Sequence, residues 1–296
     1  MSVTDFEIVT TTTGAVSIRN KVVNEIMHNP VGPWQEANDL YIRQSRLAER
    51  LTPAPTGNAT TTPKAPLVLF DVGLGAASNA LAAIHCAKGL YGERAKAPSK
   101  PLHIVSFENN LSLLEFALKN SRAFDHMTGM ESALESLLST LHWQSPCGMI
   151  TWDLRPGDFT KIIKTEAASP DIIFFDPYSP SVNREMWSLE CFETLFRAMP
   201  RLTNPDAEPT TLFTYSVATP VRVAMLMAGF YVGFGQATGL KHETTVASNS
   251  IHGLAAPIDT RWWQRWRRSH TQMPYDAENH SRENLINRLK SHPQYC

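Results

Sequence analysis

The chain has 296 residues, 43% of them hydrophobic and 19% charged, with a formal net charge of −1. At roughly 100–200 residues per domain this is one large globular domain with additions, or two small ones. The near-zero charge excludes a global attraction to polyanions, so any nucleic-acid contact must come from a local patch.

The N-terminus, "MSVTDFEIVTTTTG", has no basic-then-apolar leader, and no apolar run of about 18 residues occurs. The four cysteines, Cys86, Cys147, Cys191 and Cys296, form no C-x-x-C pair, and no His cluster has zinc spacing. A reduced, cytoplasmic protein without membrane segment, metal or disulfide framework is expected. Residues 1–20 alternate weakly around Gly14, which predicts a small hairpin. "PWQEANDLYIRQSRLAERL" (33–51) predicts a helix with Pro33 near its start. "TPAPTGNATTTPKAP" cannot bury a core and reads as a linker. From Leu67 apolar runs alternate with helix formers. "LVLFDV", "LHIVSFE", "GMITWDL", "DIIFFDP" and "TTLFTYS" predict strands, and "ASNALAAIHCAKGL", "NLSLLEFALKNSR", "ESALESLLSTLHW", "DFTKIIKTEA", "REMWSLECFETLFRAM" and "TPVRVAMLMAGF" predict helices. "YVGFGQA" and "HETTVAS" follow as strands with no helix between them. The pattern predicts an α/β fold: a mostly parallel, doubly wound sheet with an antiparallel C-terminal edge hairpin. Three regions are expected: an N-terminal extension (1–65), the α/β domain (66–250) and a basic, aromatic tail (251–296).

Chemistry-bearing residues cluster at the carboxyl ends of the predicted strands. Gly73 and Gly75 form a strand-to-helix turn that permits close ligand approach, beside a helix N-terminus with free N–H groups. This G-x-G lacks a third glycine, so a dinucleotide fingerprint is incomplete, and no G-K-[ST] phosphate clamp is present. Asp71 precedes the glycines, and Glu108 ends the second strand of the α/β region, where an acid can hold ribose hydroxyls. Asp158 follows the next strand. It serves either as an N-cap or as an acceptor for an adenine amino group. Acids at successive strand ends are the pattern of S-adenosylmethionine enzymes. "PDIIFFDPYSP" stops a buried strand on Asp176 and holds the carboxylate in a proline-rich turn beside Tyr178. A turn-initiating Asp before Pro is the structural alternative.

These pieces together resemble the MnmC-type tRNA 5-methylaminomethyl-2-thiouridine methyltransferase family. "DVGLGAASNAL" looks like its [DE]-x-G-F-G-T-G-L-N-x-L, which includes the shared Asn79. "IVSFE" matches its second strand and "LRPGD" the segment bearing its adenine-contacting acid. "DIIFFDPYSPSVNREMW" is similar to D-x-x-F-x-D-[GA]-F-[AS]-P-x-x-N-P-x-[ML]-W, and the resemblance covers about residues 10–248. Ala76 and Ala77 stand where the family has Thr-Gly, Ser78 replaces Leu, and Pro177 replaces Gly or Ala. Arg184 stands where Pro is usual. No segment resembles the family's flavin-dependent oxidase domain, so the resemblance implies methyl transfer alone. It implies a Rossmann-like class I fold, S-adenosyl-L-methionine bound by Asp71, Gly73, Gly75, Asn79, Glu108 and Asp158, and methylation of an aminomethyl group on a modified wobble uridine of tRNA. "MHNPVGPWQEA", with His28, Asn29 and Glu36, sits where the family has a His-Ser-x-x-Gly-Ala-x-x-Glu segment, and this N-terminal segment is expected to fold over the cofactor.

An amine acceptor is largely protonated near neutral pH, so the site needs a group to orient it and take its proton. Asp176 is the candidate, with Tyr178 as wall or hydrogen-bonding partner. Tyr215 and Ser216 end the next predicted strand and border the same pocket or pack at the edge of the core. In "RWWQRWRRSH" helical spacing puts Arg261, Arg265 and Arg268 on one side and Trp262 and Trp266 on another. From residue 260 there are seven Lys/Arg against three Asp/Glu. Arginines with exposed aromatics hold phosphates and stack bases; docked tryptophans with solvated arginines are the alternative. Two other functions fit the same residues: an amino-group methyltransferase acting on a nucleic-acid base or a protein, and a non-catalytic tRNA-binding protein of the same fold.

Overall fold

A computed structural model describes residues 2–27, 30–52, 65–91, 99–200, 202, 208–237, 242–269 and 273–295. His28, Asn29 and most of the expected linker lie outside these residues. The chain forms two compact units, Met1–Phe159 with Thr238–Leu240, and Thr160–Ala237 with Lys241–Cys296.

In the first unit the expected hairpin forms from β1 (Phe6–Thr10) and β2 (Val16–Asn20), extended by a short β3 (Glu25–Ile26). The segment expected as one helix is broken. α1 (Pro33–Glu36) widens into π-helical turns over Ala37–Arg43, and Arg46, at φ +53°, turns the chain into α2 (Leu47–Leu51). The break keeps Ala37, Leu40, Tyr41, Leu47 and Leu51 all buried, which the imperfect stripe of a regular helix does not achieve. β4 (Leu67–Val72), α3 (Ser78–Leu90), β5 (Leu102–Glu108), α4 (Ser112–Lys119), α5 (Glu131–Thr140), β6 (His142–Gln144) and β7 (Ile150–Pro156) follow. β4, β5 and β7 lie side by side in parallel, with Val72 opposite Phe107 and Glu108 opposite Pro156. The near-continuous apolar runs of β4 and β5 are buried because helices cover both faces of such a sheet, whereas β7 alternates buried and half-buried residues. β6 pairs antiparallel with β7. It occupies the end of a segment expected to be helical: Leu141, at φ +60°, closes α5 and releases the chain into the strand.

α6 (Phe159–Ile162) leads into the second unit. There β8 (Ile172–Phe175), α7 (Leu189–Ala198), β9 (Thr211–Thr214), α8 (Thr219–Ala228), β10 (Tyr231–Gly235), β11 (Thr244–Ser248), α9 (Thr260–Ser269) and α10 (Arg282–Lys290) follow in order. β8 and β9 are parallel and wholly buried. β11 pairs antiparallel with both β9 and β10, so the expected C-terminal hairpin is present and its second strand is the inner one. The α/β architecture, mostly parallel with antiparallel strands at the edge, is as expected.

Residues beyond 250 fold within the second unit. Trp263, Trp266, Leu285 and Leu289 are buried. Gln294 accepts from Val232 N (2.8 Å) and donates to the carbonyls of Val232 (2.8 Å) and Ile258 (2.9 Å). α10 has no counterpart in the elements read from the sequence. No helix among the described residues is long and apolar enough to cross a membrane.

Candidate active site

In the first unit the glycine turn follows β4. Gly73 and Gly75 have φ of +90° and +55°, the left-handed region that glycine enters without steric cost. A Cβ at Gly75 would meet Leu113 Cδ2 at 3.7 Å and Gly73 O at 4.0 Å, both ordinary contacts, so conformation rather than space requires glycine there. Ala77 also lies in this region, at φ +65°, and precedes α3. The Ala-for-Gly departure therefore preserves the turn, at about 1–2 kcal/mol of backbone strain. No side chain caps the N-terminus of α3, which leaves its first amides suited to an anionic ligand group.

Three strand ends converge beneath this turn. Asp71 is fully buried and accepts from Ser106 Oγ (2.8 Å), which itself accepts from Trp152 Nε1 (2.9 Å). This chain of hydrogen bonds crosses β4, β5 and β7 and fixes Asp71 as a floor. Glu108 accepts from Gly75 N (2.9 Å) and Asn110 N (3.0 Å). Burial pushes its carboxyl above the ordinary carboxylate value, while the amides of Asn110, Gly75 and Asn109 favour the charged form. Gly157 N donates to Glu108 O (2.8 Å), which brings Asp158, just ahead of α6, to the end of the same strand pair. Asn79 is buried in the first turn of α3, and Glu36 is buried at the end of α1. Asp71, Gly73, Gly75, Asn79, Glu108 and Asp158 all lie in the first unit. The sequence reading passed over Trp34 and His126, whose rings stack 5.5 Å apart, with His126 Nε2 3.5 Å from Ser78 Oγ. Among the described residues, no group of three or more His, Cys, Asp or Glu is arranged to hold a metal ion.

In the second unit Asp176 directly follows β8 and is half-buried. The turn after it is held at two successive carbonyls. Tyr215 OH donates to Pro177 O (3.0 Å), and the buried Trp187 Nε1 donates to Tyr178 O (2.8 Å). The Trp187 and Tyr215 rings meet edge to face at 5.5 Å. The amides of Val182 and Asn183 both donate to Ser179 O (2.9 Å each) and close the turn. Tyr215, read from the sequence as bordering the pocket or packing at the edge of the core, serves with its hydroxyl the loop that carries Asp176 and Tyr178. Ser216 is buried, and its carbonyl accepts from Thr245 Oγ1 (2.6 Å).

The Arg184 departure has a structural role. Its guanidinium donates to Tyr275 O (Nε, 2.8 Å), approaches Glu278 Oε1 (3.5 Å) and lies 5.9 Å from the Tyr275 ring. Next to it, Asp276 accepts from Leu189 N (2.8 Å) and Glu190 N (3.1 Å) and caps α7 from a distant part of the chain. The C-terminal segment thereby braces the helix that begins two residues after Trp187. In α9, Arg261, Arg265 and Arg268 are exposed as expected. The docked pair is Trp263 and Trp266, stacked at 5.1 Å with Tyr295 on Trp263 at 5.8 Å, while Trp262 is half-buried.

The chain is similar to known proteins in sequence and fold. Residues 125–250 match a family model described as S-adenosyl-L-methionine-dependent methyltransferase. The chain is 26% identical over 235 residues to the tRNA 5-methylaminomethyl-2-thiouridine biosynthesis bifunctional protein MnmC of Pseudomonas entomophila, covering 78% of this chain and 33% of that protein. It is 28% identical to MnmC of Campylobacter concisus, covering 77% and 33%. The chain thus spans about a third of the length of the curated relatives it matches. The crystal structure of MNMC2 from Aquifex aeolicus shares the fold, with a TM-score of 0.67 at 23% identity over 96% of this chain and 84% of that one. Residues 125–250 therefore carry the sequence of an S-adenosyl-L-methionine-dependent methyltransferase family, and over most of its length the chain resembles the MnmC proteins.

Proposed function

We propose that this chain is an S-adenosyl-L-methionine-dependent N-methyltransferase that methylates the aminomethyl group of a modified wobble uridine in tRNA, in the cytoplasm. The observation that carries the reading is the proline-rich loop after β8, held at two consecutive carbonyls so that Asp176 and Tyr178 have little freedom. A carboxylate followed by such a staple is what an enzyme acting on an amine needs, because the productive geometry must be set before reaction.

The glycine turn fits the cofactor. Its positive-φ residues expose backbone, the uncapped α3 N-terminus suits a carboxylate, and Glu108, at the end of β5, suits a ribose diol. Asp71, Gly73, Gly75, Asn79, Glu108 and Asp158 are assigned to hold it. Bound there, S-adenosylmethionine supplies an electrophilic methyl group and leaves as a neutral thioether. Asp176 accepts a proton from the acceptor ammonium and orients the resulting amine, and Tyr178 walls the acceptor side. Orientation contributes roughly 7–11 kcal/mol in ideal intramolecular cases, and a positioned base adds about 10²- to 10⁴-fold. Arg261, Arg265 and Arg268 contact tRNA phosphates, a role supported by their exposure on one helix.

The test is transfer of labelled methyl from S-adenosylmethionine to tRNA carrying the unmethylated aminomethyl uridine, with nucleoside mass spectrometry of the product. Label in the methylaminomethyl nucleoside is expected. Label in DNA or protein alone, with none in tRNA, would replace this substrate.

A further inference from the structure

A cavity of about 500 Å³ in the second unit is lined by residues that include Val217, Arg222, Phe234, Glu243, Trp262 and Arg265. Its walls differ in character. Arg222 is almost fully buried and fixed by Thr245 Oγ1 (2.9 Å), Glu243 Oε1 (2.8 Å) and Thr244 O (3.1 Å), with its guanidinium 5.0 Å from the Phe234 ring. Such an arginine is a rigid floor. Glu243, by contrast, is 42% exposed.

The opposite wall comes from α9. Trp263 and Trp266 already dock this helix. Trp262 is not part of that stack. It presents a half-buried indole beside Arg265, one helical turn away on the same face. Val217, 41% exposed, adds an apolar rim. A stacking indole, an exposed guanidinium, a carboxylate rim and an apolar edge make up the chemistry that recognises one unpaired nucleotide.

The cavity's place in the chain points the same way. Val217 lies in the turn between β9 and α8, and Thr219 opens α8; that turn begins with Tyr215, the residue whose hydroxyl holds the Asp176 loop. One short turn therefore serves both features.

We propose that this cavity is a nucleotide subsite, in which a base of single-stranded RNA next to the acceptor uridine stacks on Trp262 and its phosphate meets Arg265. The inference rests on the tRNA reading above. Stacking of this kind is sequence-tolerant, so the subsite selects an unpaired, splayed nucleotide rather than a particular base.

The test measures tRNA binding and steady-state methylation for the wild type, Trp262→Ala, Trp262→Phe and Arg265→Ala, with thermal unfolding and S-adenosylmethionine affinity as controls. Trp262→Ala is expected to weaken tRNA binding and raise its KM by about 5- to 150-fold, with kcat moved much less. Trp262→Phe should recover most of the loss, and Arg265→Ala should reduce the salt dependence of binding. If the wild type methylates tRNA and Trp262→Ala is indistinguishable from it, the subsite is overturned while the function stands. If Trp262→Phe binds as weakly as Trp262→Ala and both unfold early, the indole is packing and the subsite is again overturned. Absence of tRNA binding by the wild type overturns both readings.

Discussion

Tyr215→Phe removes one hydroxyl and leaves the ring against Trp187. The lost bond, from Tyr215 OH to Pro177 O at 3.0 Å, is partly buried. A bond of this kind contributes about 0.5–1.5 kcal/mol net, and the stranded carbonyl raises the loss toward about 3 kcal/mol if water cannot reach it. Since Tyr215 is only half-buried, about 1 kcal/mol is expected in urea unfolding monitored by fluorescence. The catalytic effect should be larger. Trp187 Nε1 still holds Tyr178 O, so the loop stays attached at one point and swings at the other. A displacement near 1 Å is enough for about a 100-fold loss of rate. Single-turnover methyl transfer at saturating S-adenosylmethionine reads this directly. A variant that loses the expected stability but transfers methyl at the wild-type rate would refute the claim that this bond positions the loop. A variant with unchanged stability and rate would show that the bond contributes nothing.

Glu108→Ala is expected to weaken S-adenosylmethionine binding by about 1.5–3 kcal/mol in calorimetry, the scale of a hydrogen bond to a charged group; an unchanged Kd in a folded variant removes the ribose assignment. Burial holds the Glu108 carboxyl above its ordinary value, and ligand hydroxyls donate best to the ionised form. Affinity should therefore be full above that raised pKa and fall as pH drops through it, and Glu108→Gln should flatten the profile. Gly75→Ala places a Cβ in an open position at φ +55°, so unfolding should register only the backbone strain, about 1–2 kcal/mol. Cofactor affinity should fall at least about tenfold, because the methyl group stands where backbone must approach ligand; an equal small loss in both would show that nothing binds on that turn. Replacing Arg261, Arg265 and Arg268 together by Ala should lower the salt slope of tRNA binding by about 2, and an unchanged slope would show that α9 faces away from the nucleic acid.

Much of the fold could be read from the sequence because its signals are local. The runs ending at Val72, Glu108 and Phe175 are short, apolar and bounded by turn residues, and they became buried strands. Gly73, Gly75 and Glu108 stood out in the sequence because glycine and an acid at a strand end carry distinct chemistry. The misses depend on distant contacts or on residues of weak preference. β6 is three residues long and half-exposed, and nothing at Leu141 announces a left-handed helix end. The π-helical widening at Ala37–Arg43 keeps apolar residues buried where the regular period drifts. Tyr215 ends a strand, which placed it either at the pocket border or at the edge of the core. Only the fold brings its hydroxyl to a carbonyl 38 residues earlier. Helical spacing placed the arginines of α9 correctly, but which two of its three tryptophans dock depends on Tyr295 near the far end of the chain.

The central claim is that Asp176 takes the proton from an amine on tRNA. Single-turnover methyl transfer to tRNA bearing the unmethylated aminomethyl uridine should be measured for the wild type, Asp176→Ala and Asp176→Asn, alongside cofactor affinity. The account predicts rates lowered by about 10²- to 10⁴-fold in both variants, with S-adenosylmethionine binding nearly unchanged. Near-wild-type transfer by a folded Asp176→Ala protein would contradict it and reduce the carboxylate to a turn residue.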